Sequence, residues 1–210
     1  MARATDAQKA ERLNRARTLL RKHAELPEAA EHLARVEADL TQSTSLDQID
    51  ALLVDEPADA LQLGSAAVFR RDDDGTFRQH VPGAGWVSSN FELLADDRLV
   101  SEVRAQFGPR RIPSSPRFFH QVTGETGQPA LAIPIYRQKM LFAIALYGLH
   151  QRGDDLEQRE IDCLEKLGLS ASAAYEQLEN ERLRSMLAEL EAKLAKSHTR
   201  GRVTPRPGHV

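Results

Sequence analysis

The chain is predicted to fold as an α/β domain: a central antiparallel sheet flanked by helices, with a helical pair in front and a coiled-coil-like helix behind. Three observations predict it. Two short runs, "SAAVFRR" and "TFRQHV", flank the turn "DDDG" and read as a hairpin. Two longer runs, "ALAIPIY" and "MLFAIALYG", are separated only by "RQK" and are apolar at odd and even positions alike. Such strands have neither face in water, so they belong mid-sheet with both faces covered. Both ends of the chain carry apolar residues three and four apart, the helical period.

The first forty residues read as two helices. Ala10, Leu13, Ala16, Leu20 and Ala24 share one stripe, and Pro27 suits the first turn of the next helix. There Ala29, Leu33, Val36 and Leu40 form a narrow seam. The seam fits packing on the adjacent domain or a helix of a second subunit; a partly disordered arm is a third reading.

A domain is expected over residues 45–178. "SLDQ" is a capping box, with Ser45 as N-cap and Gln48 reaching back. Leu46, Ile49, Leu52 and Leu53 follow as a stripe interrupted near Pro57. After Gly64 the period becomes that of strands, and Asp74-Gly75 supplies the hairpin turn. Pro82, Gly83 and Gly85 break the second strand before Trp86. Short helices come next, the first capped by Ser88, Ser89 or Asn90. The second, "RLVSEVRAQF", is capped by Asp96 or Asp97 and ended by Gly108-Pro109. Arg110 to Gln128 reads as a long loop with a short strand near Arg111-Ile112. In the buried hairpin Pro134 has no N–H to donate, so a bulge or unpaired backbone is expected there.

Asp155, with Gln158 as box partner, is expected to cap the long helix. Leu164, Leu167, Ala171, Ala174 and Leu178 recur 3-4-3-4, then Leu183, Leu187, Leu190 and Leu194 recur 4-3-4. The five-residue step between the stripes marks a change of face. The first stripe suits the sheet; the second, on residues 179–197, suits the same helix of a second subunit. Residues 198–210, without acids and with prolines and glycines, read as a disordered tail.

Composition narrows the function. At 210 residues with 41% apolar and 28% charged side chains, one soluble domain plus appendages is expected. The net charge of −3 gives no reason to expect a nucleic acid. The lone Cys163 excludes an internal disulfide and any multi-cysteine metal site. With no signal peptide and no apolar run long enough for a membrane span, a cytoplasmic protein is expected. No motif for phosphate binding, serine hydrolysis or zinc proteolysis occurs, so no enzyme, catalytic residue or metal site is expected. His80, His120 and His150 lack ligand spacing; His120, beside Phe118-Phe119, is the best candidate among them. Asp72-Asp73-Asp74 and Asp154-Asp155 read as a turn and a cap, not as metal clusters.

The order of elements resembles the GAF domain, a small-molecule-sensing α/β module. The residues that carry the resemblance are "LAIPIY", "RQK", "MLFAIALYG" and the helix "DLEQREIDCLEKLGLSASAAYEQLE". It spans Leu46 to Leu178 and is strongest in the last third. The turn and second strand lack the glycines usual there, and "NFELLADD" departs from the cyclic-nucleotide pattern. Cys163 has no neighbouring histidine for bilin attachment, and one cysteine cannot run methionine-sulfoxide reduction. The resemblance implies that Trp86, Phe91, His120, Tyr136 and Tyr147 lie near a ligand pocket; alternatively the rings simply fill the core. It implies a sensory or regulatory role, with a small molecule or partner protein as input and dimer contacts through Leu183, Leu187, Leu190 and Leu194 as output. The sequence names no cofactor. The contrasting expectation is a ligand-free structural dimerisation or protein-interaction module.

Overall fold

A computed structural model describes residues 27–87, 90–118 and 120–200. The stripe Ala10–Ala24, the cap positions Ser88 and Ser89, and the tail from 201 lie outside them. Helix α1 covers residues 27–41 and α2 covers Leu46–Ala60. Strands β1 (Ala66–Arg71), β2 (Phe77–Arg78) and β3 (Glu92–Leu93) follow, then α3 (Arg98–Gln106). Next come β4 (Arg110–Arg111), a 3-10 turn at Pro116–Phe118, β5 (Pro129–Arg137), β6 (Met140–Gly148) and α4 (Gln158–Arg200). The six strands form one sheet in the order β3-β2-β1-β6-β5-β4, every adjacent pair antiparallel. The two apolar runs thus take the centre, as expected.

Each face of the sheet has its own core. One face carries Ala66, Val68, Leu131, Ile133, Ala145 and Tyr147 against α1, α2 and the first half of α4. The other carries Ala67, Phe69, Ala132, Ile144 and Leu146 against α3 and the connecting loops. The α1 seam belongs to the first core: Leu33, Val36 and Leu40 are buried there, so α1 packs on the domain. Leu164, Leu167, Ala171 and Ala174 of α4 are buried in it too.

Several local expectations are corrected. Pro57 does not interrupt α2, which runs through it. The helix expected after Ser88–Asn90 is absent: Glu92–Leu93 extends as β3 because it pairs with β2. In the first hairpin only Gly75, at φ 87, takes a left-handed conformation, and β2 is two residues long. The turn there is closed by Arg78, which binds Asp72 at 2.8 Å, Asp74 at 2.9 Å and Glu92 at 2.8 Å. Asp97 caps α3 through Leu99 N–H at 2.8 Å, but the residue that ends α3 is Phe107, left-handed at φ 55.

At the start of α4 the cap lies two residues later than expected. Glu160 reaches back to the Glu157 N–H at 2.6 Å, while Asp155 pairs with Arg111. The Ser45 box forms with one change: Ser45 Oγ accepts from Gln48 N–H at 3.1 Å, and Gln48 returns to Thr44 N–H at 2.9 Å.

Pro134 sits in register opposite Ile144; the irregularities fall between Pro129 and Leu131 and between Ile135 and Tyr136. At the second of these Phe142 and Ala143 both face the helices, the mark of one extra residue on β6. Along β5, Ala130 accepts from Ile112 N–H at 2.8 Å and Ala132 pairs with β4. Backbone groups of a strand alternate sides, so Pro134 turns its missing N–H toward the edge beyond β4. The hairpin tip is Gln138-Lys139, both left-handed at φ 51 and 66, as a two-residue turn demands.

Candidate functional site

The loop-covered face of the sheet holds four aromatic rings in mutual contact. Phe69 lies 5.3 Å from Trp86 and 5.8 Å from Phe91, centroid to centroid. Phe118 lies 6.2 Å from Trp86 and 5.6 Å from Phe91. All but the tilted Phe91–Phe118 pair meet edge-on, a favoured arrangement for aromatic rings at these distances. Backbone bridges fix the loop: Ala84 pairs with Ala66, and Trp86 with Val122. Gly85 allows this approach, since a Cβ there would lie 2.2 Å from Gly64 O and its φ is +68.

Of the sequence candidates, Trp86, Phe91 and Tyr136 come together on this face. Tyr136 stacks under the exposed Phe107 at 5.5 Å. His120 is exposed on the loop. Tyr147 must be separated from the group: it faces the helices, is 1% exposed, and donates its hydroxyl to Leu53 O at 3.0 Å. Burial raises its phenol pKa. His80 lies 2.9 Å from Asp72, and His150 is tied to Leu61 O at 2.7 Å and Glu160 at 3.1 Å.

Several buried polar atoms, Arg110 Nε and Gln128 Oε1 among them, lack partners among the described residues. Trp86 Nε1 and both amide atoms of Gln79 are buried without a hydrogen-bond partner among the described residues. Cavities open elsewhere, among them a shallow one of about 380 Å³ on α4 beside Ala173, Glu176 and Asn180. One of about 420 Å³ lies between α1, the end of α2 and the β6–α4 loop, beside His32 and His150. One of about 760 Å³ lies beside β4, lined by Ile112, Pro113, Pro129 and Leu149. Among the described residues no three His, Cys, Asp or Glu side chains are grouped to hold a metal, and no helix is long and apolar enough to cross a membrane.

The other half of the site is where α4 grips the sheet. The Tyr136 N–H, beside the bulge, donates to Ser172 Oγ at 3.1 Å, and Ser172 donates on to Gly168 O at 2.9 Å. One helical turn later Glu176 accepts from the Gln138 N–H at 2.8 Å. Arg137 covers the Phe142 ring at 4.1 Å, and Phe142 meets Tyr175 edge-on at 5.0 Å. Tyr175 donates to Asp50, which accepts from Arg70 at 2.7 Å; Arg70 also reaches Asp47 at 3.0 Å. Burial pushes the Asp50 carboxyl up to about 6 despite Arg70 and the Tyr175 hydrogen bond, and burial raises Tyr175 too.

Beyond Leu178, α4 leaves the body. Leu183, Leu187, Leu190 and Leu194 are 43%, 60%, 53% and 59% exposed, so within one chain the seam is uncovered. Sequence reading missed Ser172, Glu176, Asp50 and Arg70. The signal for the last two was a charge inside an apolar stretch: Asp50 beside Ile49, and Arg70 after "AAVF".

This sheet order, with helices on one face and an aromatic-lined loop region on the other, is the GAF fold. No family model matches the chain, and no curated protein matches it. Solved structures do. The GAF domain of an Acinetobacter phosphoenolpyruvate-protein phosphotransferase matches with a TM-score of 0.56 and 16% identity, over 69% of this chain and 90% of that one. The GAF domain of the Coxiella burnetii phosphotransferase matches with a TM-score of 0.55 and 18% identity, over 73% and 98%. The phycoerythrobilin-bound GAF domain of a cyanobacterial phytochrome matches with a TM-score of 0.53 and 15% identity, over 73% and 97%. Likeness of this size shows the fold.

Proposed function

We propose that this GAF-fold protein is a sensory or regulatory module in signal transduction, without catalytic chemistry of its own, that signals as a homodimer through α4. The observation that carries the reading is the construction of α4. Its first half is hydrogen-bonded to the β5–β6 hairpin and buried in the core, and its second half exposes a leucine seam. A single helix thus joins the sheet to a surface suited to a second subunit. Input from a partner protein fits the aromatic face, whose rings already fill the space between sheet and loops.

A small-molecule input is favoured by a separate observation. Trp86 Nε1 and the Gln79 amide atoms are buried without a partner among the described residues, and such groups gain most from a ligand that satisfies them. One fold relative carries phycoerythrobilin, so the fold accommodates a ligand. Native mass spectrometry of protein from its own host tests both inputs: a retained mass of a few hundred daltons supports the second, a bare chain or a co-purifying protein the first. Light scattering tests the output. The wild type is expected to be a dimer and Leu187→Glu/Leu190→Glu a folded monomer; a monomeric wild type overturns the dimer.

A further inference from the structure

We propose that a second copy of this chain lies parallel and in register along the whole outer face of α4, from Leu169 to Leu194. The inference rests on the dimer reading above and extends it onto the body of the domain. Leu183, Leu187, Leu190 and Leu194 occupy d, a, d and a of a heptad. The same count carried backwards gives Asn180 at a, Glu176 at d, Ala173 at a and Leu169 at d. Leu169 is 67% exposed although its helical neighbours Leu167 and Ala171 are fully buried. At roughly 100° per residue this track lies opposite the core-facing stripe. The same stretch of helix therefore packs inward with one face and presents the seam with the other.

Length supports the extension. Leu183 to Leu194 is less than two heptads, whereas a coiled coil is read from three or four. Starting at Leu169 gives nearly four. A strict seven-residue repeat drifts slowly around a straight helix, which is what a left-handed supercoil absorbs. The one charged residue in the track, Glu176, is already held aside by the Gln138 N–H at 2.8 Å.

Asn180 sets the orientation. In a parallel, in-register pair it meets its own copy, and a single asparagine at an a position selects two strands and one register. Antiparallel helices matched on the same leucines would set Leu169 opposite Gly208 and Ala173 opposite Thr204, with no apolar partner for either. The flanks agree with the parallel pair. Glu179 of one chain faces Arg184 of the other, and Glu165–Ser170, Ser172–Gln177 and Met186–Glu191 set no like charges together.

Sedimentation equilibrium of the full chain tests the extent. Leu169→Glu, and Ala173→Glu as a second variant, are expected to weaken self-association at least tenfold with the far-UV spectrum unchanged, because both residues are exposed in one chain. If both associate like the wild type while Leu187→Glu/Leu190→Glu dissociates, the seam ends at Leu183 and this inference falls while the dimer stands. If the wild type is a monomer, both fall. Orientation is read from Asn180→Cys in a Cys163→Ser background: oxidation is expected to give a disulfide-linked dimer. A dimer that does not cross-link there overturns the parallel register.

Discussion

The hydroxyl of Tyr147 in β6 donates to the main-chain oxygen of Leu53 in α2 at 3.0 Å, and Leu53 is the residue four before Pro57. In a regular helix that oxygen accepts the N–H of residue 57, and proline has none. The phenol replaces the missing donor, which explains how α2 passes through Pro57 with Leu53 and Tyr147 both buried. Tyr147→Phe is expected to cost about 1–3 kcal/mol, because a buried carbonyl is left unsatisfied. In a Pro57→Ala background the same substitution should cost at least 1 kcal/mol less, since alanine restores the N–H. Urea unfolding of the four proteins in the cycle measures the coupling; simple additivity would refute the compensation.

Asp50 gives the fold a pH dependence of defined sign. Its carboxyl is raised from 3.8 to about 6, by burial first, against the opposing pull of Arg70, the Tyr175 hydrogen bond and His80. A folded value above the unfolded one means that the folded state holds the proton more tightly. The stability so gained is complete below about pH 4 and is lost as pH rises toward 6. Two pH units of difference correspond to about 3 kcal/mol. Asp50→Asn cannot titrate. The wild-type advantage over this variant should shrink by about that amount between pH 4 and pH 7, as read from urea unfolding at each pH.

Gly168 brings α4 close to the sheet. A Cβ there would lie 2.6 Å from Ile133 Cγ2, and Ile133 is 1% exposed. Alanine is favoured over glycine in a helix by about 1 kcal/mol, but overpacking costs about 1–3 kcal/mol. Ile133 is branched and surrounded by core, so the clash should win. Gly168→Ala is expected to lower the melting temperature, and in an Ile133→Ala background, which lacks the Cγ2 methyl, the same change should lower it far less.

Phe118 supports the aromatic cluster from the loop side and is 1% exposed. Phe118→Ala should cost about 3–5 kcal/mol and leave a void beside Trp86. Trp86 is the chain's only tryptophan, so its emission reports the site directly. A small apolar aromatic such as benzene is expected to bind the variant and shift that emission, with little effect on the wild type. Equal responses from both would mean that the wild-type cluster is already open.

Periodicity and turn chemistry made the sheet centre, the α2 box, α3 and the two stripes of α4 legible, because each depends on neighbours within a few residues. What escaped depends on partners far along the chain. Glu92–Leu93 is a strand only because Phe77–Arg78 lies beside it, and its own sequence favours neither state. Tyr147 ends an apolar strand, a position that by itself suggests the pocket face. Alternation along β6, reset by the extra residue at Phe142, puts it on the other face. The α4 leucines were found, but the five-residue step hid that two periodic tracks overlap on one helix. Ser172 and Glu176 carried no signal, since a polar residue on a helix gives no hint that a bulged strand will supply it with a donor.

The length of α4 has a mechanical consequence. From Ser172, its hydrogen-bonded seat on the sheet, to Arg200 the helix contains neither proline nor glycine, so nothing in it absorbs a bend. That segment is about 42 Å long at 1.5 Å per residue. It is a lever with its fulcrum on β5 and about two thirds of α4 on the far side. A tilt of about 5° at the fulcrum would swing the far end by about 4 Å.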